Sequence, residues 1–136
     1  MIVNKAIARK TADYLLQINA INLQPANPYT WASGLKSPIY CDNRKILSFP
    51  KVRKFVKNQI VSIINENYPK IDMVAGVATG GIALGAMIAE ELDLPFVYIR
   101  SSSKKHGMQN KVEGDIHQGS KILVFEDLVS TGMSSL

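Results

Sequence analysis

The sequence is poor in cysteine, in long apolar runs and, over its first half, in acids. One cysteine, Cys41, stands in 136 residues. It cannot form an intramolecular disulfide, which fits a reducing compartment. Its neighbours are Tyr40, Asp42 and Asn43, with no histidine close by, so it reads as a small packing residue rather than a nucleophile. No apolar stretch approaches the roughly 18 residues of a membrane span. Residues 1–10 alternate polar and apolar types and lack the apolar block of a signal peptide, so a cytoplasmic location is the expectation. Internal repeats and low-complexity tracts are also missing. Residues 1–70 contain only 3 Asp/Glu against 11 Lys/Arg, whereas residues 71–136 contain 8 Asp/Glu and 5 Lys/Arg, which together give the net charge of +5. A basic half suits either nucleic acid or a small anionic substrate. The aromatics do not interleave with the basic residues and no nucleic-acid motif is present, so neither nucleic acid nor membrane is expected as a partner.

What remains is ordinary for a globular chain: 46% hydrophobic and 20% charged residues, enough for one domain with a real core. Ile7, Thr11, Tyr14, Leu15 and Ile18 recur at helical spacing and predict an amphipathic helix over residues 4–19. Residues 22–47 are rich in Pro, Asn, Ser and Gly and read as an extended or looped lead segment. Ser48 and Pro50 are helix-start signals. Val52, Phe55, Val56, Ile60, Ile63 and Ile64 then mark the apolar face of a second helix, with Lys51, Arg53, Lys54 and Lys57 largely on its wet side. Short apolar runs at 71–77, 95–99 and 121–125 predict strands, and 82–92 a helix. That alternation predicts an α/β fold with a parallel sheet flanked by helices. Residues 100–120 are polar, with no expected structure of their own. A long loop of this kind is usually functional, and 101–118 is expected to be a mobile lid.

Chemistry concentrates at two strand-to-helix junctions. At the first, Ala78-Thr79-Gly80-Gly81 is a small-residue turn whose backbone N–H groups can face an anion. Alone this is a weak signal. At the second, the apolar run of residues 122–125 delivers Glu126 and Asp127, followed by Leu128, Val129, Ser130, Thr131, Gly132, Met133 and Ser134. Two acids can accept from a ribose diol or draw in Mg²⁺. The plainer alternative is a pair of acids complementing a helix N-terminus. The Ser-Thr-Gly loop that follows favours a sugar-phosphate cradle. Arg100, Lys104 and His106 share the polar segment and can neutralise a departing anion.

The 122–134 stretch resembles the phosphoribosyl diphosphate (PRPP) signature of type I phosphoribosyltransferases. The run Trp31-Ala32-Ser33-Gly34-Leu35-Lys36-Ser37-Pro38-Ile39-Tyr40, with Lys104, His106 and Gly107, resembles the orotate branch of that family. The resemblance implies a type I phosphoribosyltransferase-like sheet, with residues 1–47 forming an N-terminal helix and orotate-side segment. It implies transfer of a phosphoribosyl group from PRPP to orotate, giving orotidine 5′-monophosphate and pyrophosphate. Glu126 and Asp127 would hold the ribose hydroxyls. Residues Val129, Ser130, Thr131, Gly132, Met133 and Ser134 would wrap the 5′-phosphate, with Ser130 also near orotate, and Leu128 would be a further PRPP-binding residue. Thr79 and Gly80 would line the pyrophosphate loop, and Arg100, Lys104 and His106 would meet pyrophosphate. Lys36 and Tyr40 would face orotate. Lys104, His106 and Asp127 are the implied catalytic residues, Mg²⁺ the implied cofactor through PRPP and the two acids, and a homodimer sharing the lid the implied assembly. The pattern departs where some members place a Lys at the Gly80 position, a second basic residue at Ser101, and an orotate-contacting Lys at Ala32.

Family members continue for several strands and helices, including an orotate-contacting Arg. A sheet ending with its third parallel strand leaves an open edge. The expectation is therefore a piece of a longer protein with its C-terminal strands missing. Taken as an entire protein, it is expected to show little or no turnover. A PRPP-binding regulator and a purine-type transferase are the competing readings, the former requiring the basic face of residues 51–57 to meet nucleic acid.

Overall fold

The computed structural model describes residues 3–31, 33–100, 111–129 and 132. They fall into two compact units, Met1–Val56 and Lys57–Leu136. The first unit opens with α1 (Lys5–Gln17). Asn4 has extended backbone angles, and its Oδ1 accepts from the N–H groups of Ala6 (2.9 Å) and Ile7 (3.1 Å), satisfying two donors that the first turn leaves open. The other end closes on Asn19, in the left-handed region at φ 53°. Asn19 N donates to Leu16 O (3.0 Å) and Ala20 N to Leu15 O (2.8 Å), the paired bonds that terminate a helix at such a residue. The turn places Ile18 and Ala20 in the core of this unit with Ile46 and Val52.

The lead segment folds into short strands: β1 (Ile21–Leu23), β2 (Tyr29–Thr30), β3 (Lys36–Ser37) and β4 (Ile39–Cys41). β1 pairs antiparallel with β4 and β2 antiparallel with β3, so what composition suggests is loop contains two small ladders. Gly34 at φ 83° turns β2 into β3, and its N–H donates to Trp31 O (2.8 Å). The Trp31 indole donates to Ile39 O (3.1 Å), and the rings of Tyr29 and Tyr40 lie 5.3 Å apart. Cys41 is half-buried, and its Sγ bonds Asn43 Oδ1 (3.1 Å), in keeping with a packing role. A 3₁₀ stretch, Asn43–Ser48, leads into α2 (Pro50–Asn67). Proline opens that helix, where its missing N–H costs nothing. Phe49 rather than Ser48 precedes it, and Phe49 O accepts from Arg53 N (2.9 Å).

The second unit holds β5 (Met73–Val77), α3 (Gly80–Glu91), β6 (Phe96–Ile99), β7 (Val112–Glu113) and β8 (Ile122–Phe125). The sheet order is β7-β6-β5-β8. β5 runs parallel to both β6 and β8, while β7 is antiparallel to β6. As the inner parallel strand with α3 on one face, β5 is buried along its whole length, which is why its sequence is continuously apolar. Met73 and Ala75 join Val97, Ile99, Val112 and Ile122 in one cluster on one face. Gly76 points the other way, towards α3, whose Leu84, Ile88 and Ala89 are buried. α3 ends as α1 does: Asp93 sits at φ 54°, and Leu94 N donates to Ala89 O (2.9 Å).

One sequence expectation fails in part. Residues 100–120 are not without structure, because β7 lies within them. Its register sets Tyr98 opposite Glu113 and Ile99 opposite Val112, and Arg100 N donates to Lys111 O (2.7 Å). A two-residue strand carries no periodicity, so only pairing with β6 reveals it.

Candidate functional site

In open α/β sheets, ligands bind outside the carboxyl ends of the strands. Here β5 and β8 end side by side, with Gly76 opposite Phe125. At the opposite ends of the same strands, Asp72 N donates to Lys121 O (2.8 Å) and Lys121 N donates back to Asp72 Oδ2 (2.7 Å). Both ends of the strand pair are therefore fixed.

Beyond β5 the chain turns at Ala78 and Thr79, joined by a cis peptide, and enters α3 at Gly80. Ala78 N donates to Ile99 O (2.7 Å), tying the turn to the end of β6. Thr79 is exposed and makes no side-chain cap bond to α3. Two glycine contacts bring the first turn of α3 against the sheet. A Cβ on Gly76 would lie 2.6 Å from Gly81 O, and one on Gly81 would lie 2.6 Å from Phe125 O. Both obstacles are backbone, so a side chain at either position forces the helix away from the strands.

Beyond β8 come Glu126 and Asp127, both half-buried and neither without a partner. The Asp127 carboxylate lies directly over Gly80: a Cβ there would overlap it, with Oδ2 at 2.5 Å. The structure thus brings together Asp127 and Gly80, which sequence reasoning assigned to separate phosphate and ribose elements. Leu128 and Val129 follow as exposed apolar residues, 46% and 63% accessible, and Gly132 sits at φ 80°. At Leu128 and Val129 the side chains are apolar, so the backbone is the polar group these two positions offer a ligand. Ser130, Thr131, Met133 and Ser134 lie outside the described residues, as do Ala32, Lys104 and His106.

Arg100 stands at the carboxyl end of β6. Its Nη1 lies 3.3 Å from Glu113 Oε1 on β7, with Arg100 about a third exposed and Glu113 less so. Glu113 is a residue that sequence reasoning missed, and its place beside Arg100 comes from the antiparallel turn of β7. Lys36 and Tyr40 are exposed residues of the first unit, on β3 and β4.

The basic face of α2 is partly used up. Arg53 donates to Leu47 O (2.7 Å) and Lys57 is ion-paired with Glu91, leaving Lys51 and Lys54 exposed. That weakens the case for a nucleic-acid surface there, since such surfaces need several free cations in a row. No three His, Cys, Asp or Glu residues come together as a metal cage among the described residues. Magnesium held with a ligand's phosphates usually needs only one or two carboxylates, so Glu126 and Asp127 are donors of the right kind and number for such an ion.

Residues 44–134 match the phosphoribosyl transferase domain. The chain is 58% identical over 132 residues to orotate phosphoribosyltransferase of Phocaeicola vulgatus, covering 97% of this chain and 62% of that protein. The crystal structure of orotate phosphoribosyltransferase from Aeropyrum pernix superimposes with a TM-score of 0.76 at 28% identity, over 92% of this chain and 68% of that one. Leishmania donovani UMP synthase gives a TM-score of 0.76 at 23% identity, over 97% of this chain and 27% of that one, a likeness of fold. The chain spans about 62% of the length of the curated relatives it matches.

Proposed function

The chain belongs to the phosphoribosyl transferase domain family, and from that premise we propose that it carries the PRPP site and an orotate-facing segment of an orotate phosphoribosyltransferase. The observation that carries this reading is the Asp127 carboxylate set against the first turn of α3 at the sheet's carboxyl edge, so that acid and anion-binding turn adjoin. The 58% identity to a protein named for orotate favours that branch over a purine-type transferase.

In this reading the C1′–O bond to pyrophosphate breaks with both electrons leaving on oxygen, positive charge builds on the ribose ring, and an orotate ring nitrogen forms the new bond to C1′ as its N–H proton is released to pyrophosphate or water. No protein nucleophile is needed, so the chain works by positioning and electrostatics. Glu126 and Asp127 accept from the ribose hydroxyls. Backbone N–H groups at residues 128–134 hold the 5′-phosphate. Thr79 and Gly80 line the pyrophosphate, and Arg100 neutralises part of its charge, with Lys104 and His106 joining it from the 101–118 lid. Lys104 or His106 is the proposed acid, while Lys36, Tyr40 and Ser130 face orotate. Mg²⁺, bound with PRPP, adds further neutralisation of the departing pyrophosphate. A cytoplasmic homodimer that shares the lid between sites completes the proposal. No helix among the described residues is long and apolar enough to cross a membrane.

The test is loss of orotate absorbance on adding PRPP and Mg²⁺, run on this chain and on a longer protein that carries it, with pyrophosphate release followed in parallel. Turnover of hypoxanthine or guanine but not orotate by the longer protein would show the branch to be wrong. PRPP binding by the longer protein with no transfer to any base would favour the regulator.

A further inference from the structure

We infer that Glu113 is the positioning residue for Arg100: from the neighbouring strand it holds the guanidinium ready for the pyrophosphate end of PRPP. The identity of that anion rests on the PRPP reading above, whereas the pairing rests on strand geometry. β7 lies antiparallel to β6, with Glu113 opposite Tyr98. Side chains two apart along a strand share a face, so Arg100 is the diagonal neighbour of Glu113, a separation that two long side chains can span. Arg100 Nη1 and Glu113 Oε1 meet at 3.3 Å.

The backbone keeps this diagonal in place from several sides. Arg100 N donates to Lys111 O (2.7 Å), fixing one end of β7. At the other end Gly114 has φ 112°, and a Cβ there would lie 2.7 Å from Cγ1 of Val97. Val97 is buried and β-branched, so it cannot swing aside, and the chain beyond Glu113 is held close on β6. Ala78 N donates to Ile99 O (2.7 Å), which ties the residue before Arg100 to the turn proposed to line pyrophosphate. An ion pair as exposed as Arg100–Glu113 adds little to stability. Its use is in placement. An arginine side chain carries much rotamer entropy, and holding it beforehand lowers the cost of ordering it on a ligand. A guanidinium has five N–H donors in one plane, so engagement at Nη1 leaves donors for phosphate oxygens. The opposite role, a carboxylate that only cancels the Arg100 charge, predicts tighter anion binding once it is removed.

The experiment measures steady-state kinetics of the longer protein carrying Glu113→Ala, Glu113→Gln, Arg100→Ala or Glu113→Ala with Arg100→Ala, together with thermal melting and NMR of the Arg100 side-chain N–H groups. Glu113→Ala is expected to raise the KM for PRPP about fivefold or more, with the KM for orotate and the melting temperature little changed. Glu113→Gln keeps an acceptor oxygen but loses the charge, so it should raise the KM for PRPP less. In the Arg100→Ala background, Glu113→Ala should add almost nothing. An unchanged or lower KM for PRPP in Glu113→Ala, the same effect with and without Arg100, or equal losses for PRPP and orotate alongside a lower melting temperature would each overturn the proposal. If Glu113→Ala fails to fold, the isosteric Glu113→Gln carries the same comparison with the same outcomes. If the unsubstituted longer protein does not use PRPP, the PRPP reading fails. Arg100 N–H signals that broaden on Glu113→Gln or Glu113→Ala would then still support the holding of Arg100, and unchanged signals would overturn it.

Discussion

The carboxyl edge of the β5–β8 sheet and the hairpins of the lead segment both carry candidate site residues, yet they are built in opposite ways. At the sheet edge, positions are set by backbone pressed on backbone: Gly76 on Gly81, Gly81 on Phe125, Gly80 under Asp127. In the lead segment, β2 and β3 are two residues each, and Lys36 and Tyr40 are exposed. Their places depend on a few hydrogen bonds, the Trp31–Ile39 contact and the Tyr29–Tyr40 ring pair. The difference teaches that the sheet edge is bound up with the stability of its unit, while Lys36 and Tyr40 can change with little effect on the folding of theirs. Reaction centres that demand sub-ångström placement suit the first kind, and recognition of a variable base suits the second.

The sharpest way to break this contrast is in the core behind the sheet edge. Ile88 is fully buried on α3, and Ile88→Ala should cost about 3 kcal/mol, read from denaturant unfolding. Gly81→Ala strikes the edge itself. Its methyl would press on Phe125 O, and a loss of about 2 kcal/mol is expected together with weaker PRPP binding. If Gly81→Ala melts like the parent, the glycine contacts do not hold the edge. On the other side, Tyr40→Ala should cost at most about 1 kcal/mol, the worth of one exposed aromatic pair, while raising the KM for orotate in the longer protein. A large stability loss there would erase the distinction between the two regions. Glu113→Gln removes an ion pair that is about a third exposed on one side, so about 0.5 kcal/mol or less is expected, with a measurable rise in KM for PRPP through a less constrained Arg100. Smallest of all, Asn19→Gly and Asp93→Gly relieve left-handed residues at two helix ends built alike. Each should stabilise its unit by up to about 0.5 kcal/mol, visible as a small rise in melting temperature.

How legible each part was in sequence follows from the range of the forces involved. α1, α2 and α3 announce themselves through apolar spacing, and α2 also through Pro50, because helical periodicity is local; the Asn4 cap and the start of α3 at Gly80, two residues before the expected Ile82, appear only in the structure. β5 is legible because an inner parallel strand is buried on both faces and must be apolar throughout. β7 is not, since Val112 and Glu113 become a strand only by pairing with Ile99 and Tyr98. For the same reason Glu113 went unnoticed as the partner of Arg100. Among the site residues, Glu126, Asp127 and the Thr79-Gly80 turn could be named from strand ends and glycines. That Asp127 lies over Gly80 could not be read, because no local rule links two junctions so far apart in the chain.

By itself the sequence determined the elements, the apolar strands that end in acids and glycines, and the chemical types available for a sugar phosphate. These follow from side-chain periodicity and backbone preference, which act over a few residues. Only the tertiary structure decided which junctions meet and how closely. The reason is steric: parallel pairing in one register, with glycines at 76 and 81, brings α3 near enough to β8 for the Asp127 carboxylate to fill the space that Gly80 leaves empty.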